Sequence, residues 1–168
     1  MSNPPASHHL TDREFNLFQK LFGDAIGLHL ASHKKLLISG RLGRRVQALG
    51  LPDFRSYHEY LESGKDPVEF QTAIDLITTH ETFFFREAHH FDVLKRLVVP
   101  GHAPGRPLRV WSAACSSGEE PYSVAMVLYD EMGASGWEIM ASDISQGTLA
   151  KAAAGLYRME RIDGIPQE

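Results

Sequence analysis

The chain has 168 residues, of which 43% are hydrophobic and 10% aromatic, and its formal net charge is −4. This length and composition fit one globular domain or two small ones, and the net negative charge argues against general nucleic-acid binding. The single cysteine, Cys115, excludes an internal disulfide framework and fits a reducing compartment, so we expect a cytoplasmic location. No hydrophobic run approaches the length of a transmembrane helix, so we expect no direct membrane insertion.

Charge is distributed unevenly along the chain. Between Ala25 and Pro52 there are five basic residues and no acidic ones, whereas the rest carries 12 basic against 21 acidic residues. The five are Lys34, Lys35, Arg41, Arg44 and Arg45. Their spacing places several of them on one face of a predicted helix, which favours docking onto an acidic partner surface. A solvated basic face and a weak duplex nucleic-acid contact are the alternatives.

The first part of the chain has the pattern of a small all-helical domain. Residues 1–10 read as a flexible tail, and residues 11–78 as roughly four short helices with short connections. Thr11 and Glu14 form a capping box in front of an apolar stripe, and Asp66-Pro67 begins the fourth helix.

Residues 79–107 are interpreted as a connecting segment and linker. Three consecutive phenylalanines, residues 83–85, cannot all face one core, so at least one is expected to line a cleft or seam. Arg86 follows them, and a helical pattern then runs through Phe91, Leu94, Leu97 and Val98. Adjacent histidines in this helix do not face one another, so no metal site is expected.

Residues 108–168 have the order strand, small-residue turn, helix and strand. A short apolar run at residues 108–111 leads into five small residues, and a helix is predicted from about Pro121 to Met132. This arrangement is typical of a nucleotide-type pocket in an open α/β sheet, where small side chains allow a ligand close to the backbone. Free N–H groups at the helix start favour a negative ligand group.

Asp143 follows the second predicted strand, residues 137–141, and lies 25 residues after Gly118. An acidic residue at this place in the fold is the usual acceptor for ribose hydroxyl groups. The alternative is that Asp143 caps the next helix, a position for which Ser145 is an equal candidate.

Four stretches of the sequence are distinctive, namely Ile77–Phe91, Val110–Ser123, Ala141–Ser145 and Ala154–Tyr157. They resemble the chemotaxis receptor methyltransferases of the CheR type, and the helical front end is similar as well. Family members use S-adenosylmethionine to methylate glutamate side chains on receptor signalling helices and release S-adenosylhomocysteine. The resemblance implies an α plus α/β fold, in which a helical receptor-docking domain precedes the beginning of a Rossmann-like class I methyltransferase sheet.

Carried over by position, the resemblance implies a set of cofactor-binding residues. They are His80, Thr82, Arg86, Ala113, Gly118, Glu120 and Asp143. His80 stands where the family usually has an asparagine, so the hydrogen bond expected there is altered or depends on pH. Arg86 is also the candidate catalytic residue, because its guanidinium suits the cofactor carboxylate or the incoming glutamate.

The resemblance also implies a partner, namely the acidic methylation helices of chemoreceptors, which the basic residues of the second helix would contact. The family's methyltransferase domain continues with later strands that are missing here, so we interpret the sequence as a fragment of a longer enzyme. The alternative is a truncated, non-catalytic relative that acts as a receptor-docking or weak cofactor-binding module. Bare sheet edges would make dimerisation possible.

Overall fold

The computed structural model describes residues 9–103, 105–162 and 164–166. The chain divides into two compact units, with the boundary between Thr79 and His80.

The first unit is all-helical. Its helices are α1 (Asp12–Ile26), α2 (Lys35–Ala48), α3 (Phe54–Glu62) and α4 (Pro67–Ile77), and a 3-10 turn, Ser32–Lys34, leads into α2. Side chains fix three of the four starts. The predicted Thr11–Glu14 capping box is present on α1, Asp53 accepts a hydrogen bond from the backbone of Ser56, and Asp66 accepts one from the backbone of Glu69.

The core of this unit is built from the apolar faces of the four helices. Its most buried members are Phe18, Phe22, Ile38, Leu42, Val46 and Tyr57. Leu10 belongs to this core and is only 1% exposed, so the prediction of a flexible tail through residue 10 is wrong at that position. Leu10 precedes the N-cap Thr11, and a hydrophobic residue there packs toward the fourth helical position, as in a hydrophobic staple. The remainder of the predicted tail, residues 1–8, lies outside the described residues.

The second unit begins with residues that the sequence assigned to a connecting segment. Helix α5 (Ala88–Val93) continues into a π-helical turn, Leu94–Val98. Phe91 is buried and Leu94 packs in the core of this unit. Leu97 and Val98, predicted to share the apolar face, are 69% and 40% exposed instead, because the wider turn rotates them away from the core.

The described part of the second unit contains a parallel pair of strands, β1 (Leu108–Ala113) and β2 (Trp137–Ser142), joined by helix α6 (Glu119–Met132). The register pairs Leu108 with Trp137 and Ala113 with Ser142, so both strands end at the same edge. Helix α7 (Gln146–Ala154) and a 3-10 turn, Met159–Arg161, follow β2.

One face of the strand pair forms the core of the second unit. Val110 and Ile139 lie on this face and pack with Val127 and Leu128 of α6. The structure thus has an all-helical unit followed by a parallel α/β unit, as the sequence predicted. None of the helices in the described part of the chain combines the length and the hydrophobicity that a membrane-spanning helix requires.

Candidate cofactor-binding site

The turn between β1 and α6 has an unusual backbone. Ala114, Ser116 and Gly118 all have positive φ angles, of 68°, 50° and 97°. A left-handed backbone costs a residue with a side chain about 1–2 kcal/mol, so two non-glycine residues in this state require support from their surroundings. Such strained turns are concentrated at ligand-binding sites.

Asp143 supplies part of that support from the end of β2. Its Oδ2 accepts a hydrogen bond from the backbone N–H of Ser116 at 2.7 Å, and its Oδ1 accepts one from Ser145 at 2.8 Å. The cap of α7 is Ser145, whose hydroxyl accepts from the backbone of Thr148. Of the two interpretations of Asp143, the structure therefore rules out the helix cap. Each carboxylate oxygen retains a further lone pair, so contact with a ribose hydroxyl stays chemically available and remains a prediction.

Gly118 is buried where the turn enters α6. A Cβ atom at this position would lie 2.7 Å from the hydroxyl of Tyr157, 2.9 Å from the Cβ of Ala152 and 3.0 Å from its Cα. The site therefore excludes any larger residue, because a fixed part of α7 fills the space. The glycine predicted to line the turn is thus required by close packing as well as by its φ angle.

Two further predicted residues border the turn. Ala113 is exposed at the end of β1, and Glu120 is exposed in the first turn of α6. The Ser112 hydroxyl donates to Oε1 of Glu120 at 2.6 Å, which holds this carboxylate beside the end of the strand. An exposed acid in this place is suited to accept hydrogen bonds from a ligand.

The segment from His80 to Arg86 lies against the start of α6. The backbone N–H of Phe85 donates to the hydroxyl of Ser123 in α6 at 3.0 Å. Arg86 is exposed, and its Nη1 donates to the carbonyl of Glu81 at 2.6 Å. This contact restricts the guanidinium while leaving it accessible to a carboxylate. Of the three phenylalanines, Phe83 is the one that is half-exposed.

His80 and Thr82 are both half-buried. The carbonyl oxygen of Thr82 accepts a hydrogen bond from Arg161 at 2.9 Å, and the same guanidinium nitrogen contacts the carboxylate of Glu119. The structure therefore brings Thr82 close to the start of α6.

Sequence reasoning missed Glu119, Tyr157 and Arg161. Glu119 is 1% exposed although it neighbours the exposed Glu120. Tyr157 belongs to a stretch that carried the family resemblance, which was the available signal for it. No sequence signal indicated a role for Arg161, because its partners lie 42 and 79 residues away in the chain.

Two titratable groups near the turn are held in their neutral forms. Burial, followed by repulsion from the Glu119 carboxylate, raises the pKa of Tyr157 to about 12. Burial, with a further contribution from Asp143, raises the pKa of the Cys115 thiol. Cys115 is 1% exposed, so it acts as a packing residue of the turn.

A cavity of about 390 Å³ lies next to the turn, on the face of β2 that carries Ile139. Pro121 and Ala125 of α6 and Leu149 and Ala152 of α7 contribute to its lining. Its walls are predominantly apolar, so few polar groups are available there to orient a nucleoside. Within the part of the chain that the structure describes, no cluster of three or more His, Cys, Asp or Glu side chains is arranged to hold a metal ion.

The five basic residues predicted to contact a partner do not form a single free cationic surface. Arg45 makes a two-pronged ion pair with Glu69, which is only 5% exposed, and Arg41 donates to the carbonyls of Leu76 and Thr78. Arg41 and Arg45 therefore fasten α2 to α4 and the residue that follows it.

The other three of these five residues, Lys34, Lys35 and Arg44, differ in their exposure and contacts. Lys35 is paired with Asp12 at 2.6 Å, whereas Lys34 and Arg44 are exposed. Of the five residues, Lys34 and Arg44 are therefore the ones best placed to contact a partner. The structure records an internal contact for each of the other three, and binding a partner would require breaking it.

The architecture defines a class of protein. Two parallel strands, joined by a turn with left-handed residues and a helix and followed by an acidic residue, are the arrangement of a Rossmann-like binding unit for a nucleotide-type cofactor. Residues 80–168 match the family model described as "CheR methyltransferase, SAM binding domain", and residues 13–78 match "CheR methyltransferase, all-alpha domain". The chain belongs to the CheR methyltransferase family.

Curated relatives support the same assignment. The chain is 44% identical over 164 residues to the chemotaxis protein methyltransferase of Escherichia coli K12, covering 95% of this chain and 56% of that protein. It is 39% identical over 160 residues to chemotaxis protein methyltransferase 2 of Pseudomonas aeruginosa PAO1, covering 94% and 56%. The Borreliella burgdorferi chemotaxis protein methyltransferase is 35% identical over 169 residues, covering 95% and 60%. The chain thus spans little more than half the length of the curated relatives it matches.

Proposed function

We propose that this chain binds S-adenosylmethionine at the turn between β1 and α6 and takes part in methylating glutamate side chains of chemotaxis receptors. The observation that carries the proposal is the strained turn itself, since its left-handed residues are anchored by Asp143 and sit inside the matched SAM-binding family model. The receptor substrate is inferred from the names of the curated relatives.

The residues around the turn fit this cofactor chemically. Glu120 and Asp143 offer carboxylate oxygens to ribose hydroxyls, and the small, exposed Ala113 permits close approach of a ligand to the backbone. Gly118 contributes by letting the turn pack against α7, since the space beside it is filled by Tyr157 and Ala152. The exposed guanidinium of Arg86 is matched to a carboxylate. Thr82 and His80 supply a hydroxyl and an imidazole on the neighbouring segment.

Methyl transfer to a glutamate side chain requires few catalytic groups from the protein. S-adenosylmethionine supplies an electrophilic methyl group on a positively charged sulfur. A glutamate side chain has an ordinary pKa of about 4.3, so it is already an ionised nucleophile at neutral pH and needs no general base. The task of the chain is therefore to hold the two reactants in line and to exclude water, and Arg86 is the candidate for orienting a carboxylate.

Calorimetry with S-adenosylhomocysteine tests the cofactor part of the proposal. Glu120→Gln keeps an acceptor for Ser112 and removes the charge, so we expect affinity to fall about tenfold, as for loss of a charge-assisted hydrogen bond. Glu131→Gln, an exposed substitution on the same helix, is the matched control and should leave affinity unchanged. Absence of binding heat for the wild-type chain, or equal affinity of both variants, would contradict the proposal.

A second function, receptor docking without turnover, is favoured by the exposed Lys34 and Arg44 in a segment that lacks acidic residues. Replacing both by glutamate should weaken binding to a receptor cytoplasmic fragment, because each substitution turns attraction to an acidic helix into repulsion. Lys65→Glu, at an exposed position before α4, serves as the control. Unchanged receptor affinity in the double variant would refute this docking surface.

A further inference from the structure

The 3-10 turn that follows α7 joins two parts of the candidate site. Nη2 of Arg161 donates to the carbonyl oxygen of Thr82 at 2.9 Å and also contacts Oε1 of Glu119. Thr82 belongs to the segment before α5, whereas Glu119 is the first residue of α6. One guanidinium therefore fixes the distance between the Thr82 segment and the turn that precedes α6.

The surroundings of Glu119 favour its contact with Arg161. It is 1% exposed, and its second oxygen, Oε2, accepts from the hydroxyl of Ser117 at 2.6 Å. A buried carboxylate requires compensation, and here the compensation comes from the turn on one side and from Arg161 on the other. The position of the turn is therefore tied to the position of Arg161.

Tyr157 provides a second link from the same stretch of chain. Its hydroxyl donates to the carbonyl oxygen of Ser117 at 2.7 Å. Its ring packs edge-on against Phe84, with ring centroids 4.9 Å apart. Tyr157 and Arg161 thus both connect the turn at residues 117–119 with the segment at residues 82–84.

We propose that Tyr157 and Arg161 act as a clasp that positions Thr82 and Arg86 relative to the turn, so both are positioning residues for the methyl-donor site. The inference rests on the cofactor site proposed above. The Arg161 side chain is 48% exposed whereas that of Glu119 is 1% exposed, so loss of Arg161 leaves a buried carboxylate without its cationic partner and lowers the stability of the second unit as well. The contacts of Arg161 go to a ligand-side carbonyl and to the residue next to Glu120, which suits it to set local geometry.

Hydrogen exchange on the ligand-free chain tests the clasp without depending on the cofactor. Arg161→Met should raise exchange about tenfold or more in peptides covering residues 82–87 and 112–119, because local opening loses a charge-assisted bond. Peptides from the all-helical unit should exchange as in the wild type. Arg158→Met, which removes a neighbouring exposed charge, is the control. Unchanged exchange at both segments in Arg161→Met would overturn the clasp.

Binding of S-adenosylhomocysteine then tests the positioning role. Arg161→Met should weaken affinity about tenfold, and Arg161→Lys, which retains a donor, should restore part of the loss. Equal affinity of folded wild type and Arg161→Met would refute positioning, since a purely structural role lowers stability without changing affinity. If Arg161→Met fails to fold, Tyr157→Phe replaces it, with loosening expected at residues 112–119. A wild-type chain that binds no ligand would overturn the proposed cofactor site, while local loosening in Arg161→Met would still support the clasp.

Discussion

Replacing Gly118 by alanine tests the close packing of the turn against α7. The substitution adds a Cβ at a residue with φ of 97°, where the new atom would lie 2.7 Å from the Tyr157 hydroxyl and 2.9 Å from the Cβ of Ala152. Tyrosine is able to swing aside, but Ala152 is held by the helix backbone, so the clash persists after relaxation.

The expected cost has two parts. Left-handed backbone strain contributes about 1–2 kcal/mol, and forcing an extra carbon into a filled space contributes about 1–3 kcal/mol. The free energy of unfolding of the second unit should therefore fall by about 2–5 kcal/mol, a large share of an ordinary domain's stability of about 5–15 kcal/mol.

The Gly105→Ala variant separates the contribution of backbone strain from that of close packing. Gly105 has a φ of 94°, but its added Cβ would meet nothing within 4 Å, so it should lose only the strain of about 1–2 kcal/mol. Urea unfolding followed by tryptophan fluorescence is the assay, because both tryptophans, Trp111 and Trp137, lie in the strand pair of the second unit. Equal losses in the two variants would refute the claim that close packing requires Gly118.

Three other outcomes are expected. Arg45→Met should destabilise the all-helical unit by about 3 kcal/mol in urea unfolding followed by circular dichroism, because the buried Glu69 carboxylate loses its cationic partner and keeps the hydrogen bond from the Tyr57 hydroxyl; a loss no larger than that of exposed Arg44→Met would contradict this. The raised pKa of Tyr157 means that the folded state favours the neutral phenol, so its stabilising effect is complete below pH 10.0 and is lost as the pH rises toward about 12. Tyr157→Phe should remove this alkaline loss from the fluorescence-detected unfolding curve, and an unchanged pH profile would refute the assignment. Receptor docking should weaken as salt is added, since exposed charges are screened, and salt-independent affinity would argue against an electrostatic surface.

Local sequence signals predicted most of the elements. The Thr11–Glu14 capping box marked the start of α1, and Asp66 followed by Pro67 marked the start of α4, because both signals act over three or four residues. Strand β1, the turn and α6 were recognisable from apolar runs and small residues, although β1 extends two residues further than predicted.

Contacts between distant residues were not predictable in the same way. Arg45 and Glu69 lie 24 residues apart, so the helical pattern placed Arg45 on a basic face without showing that its charge is neutralised internally. The Arg161–Glu119 contact spans 42 residues and depends on how α7 returns to the turn. The position of Asp143 was predictable, but its bond to the Ser116 backbone was not, because that bond depends on the left-handed turn.

We propose above that the turn between β1 and α6, with the residues around it, holds the methyl donor. The most direct measurement is an NMR titration of the isotopically labelled chain with S-adenosylhomocysteine, read at the backbone amides. We predict saturable shifts concentrated at residues 82–86, 112–120 and 142–145, with the all-helical unit unaffected. Absence of shifts, or shifts confined to the apolar cavity around Ala125 and Leu149, would contradict the account.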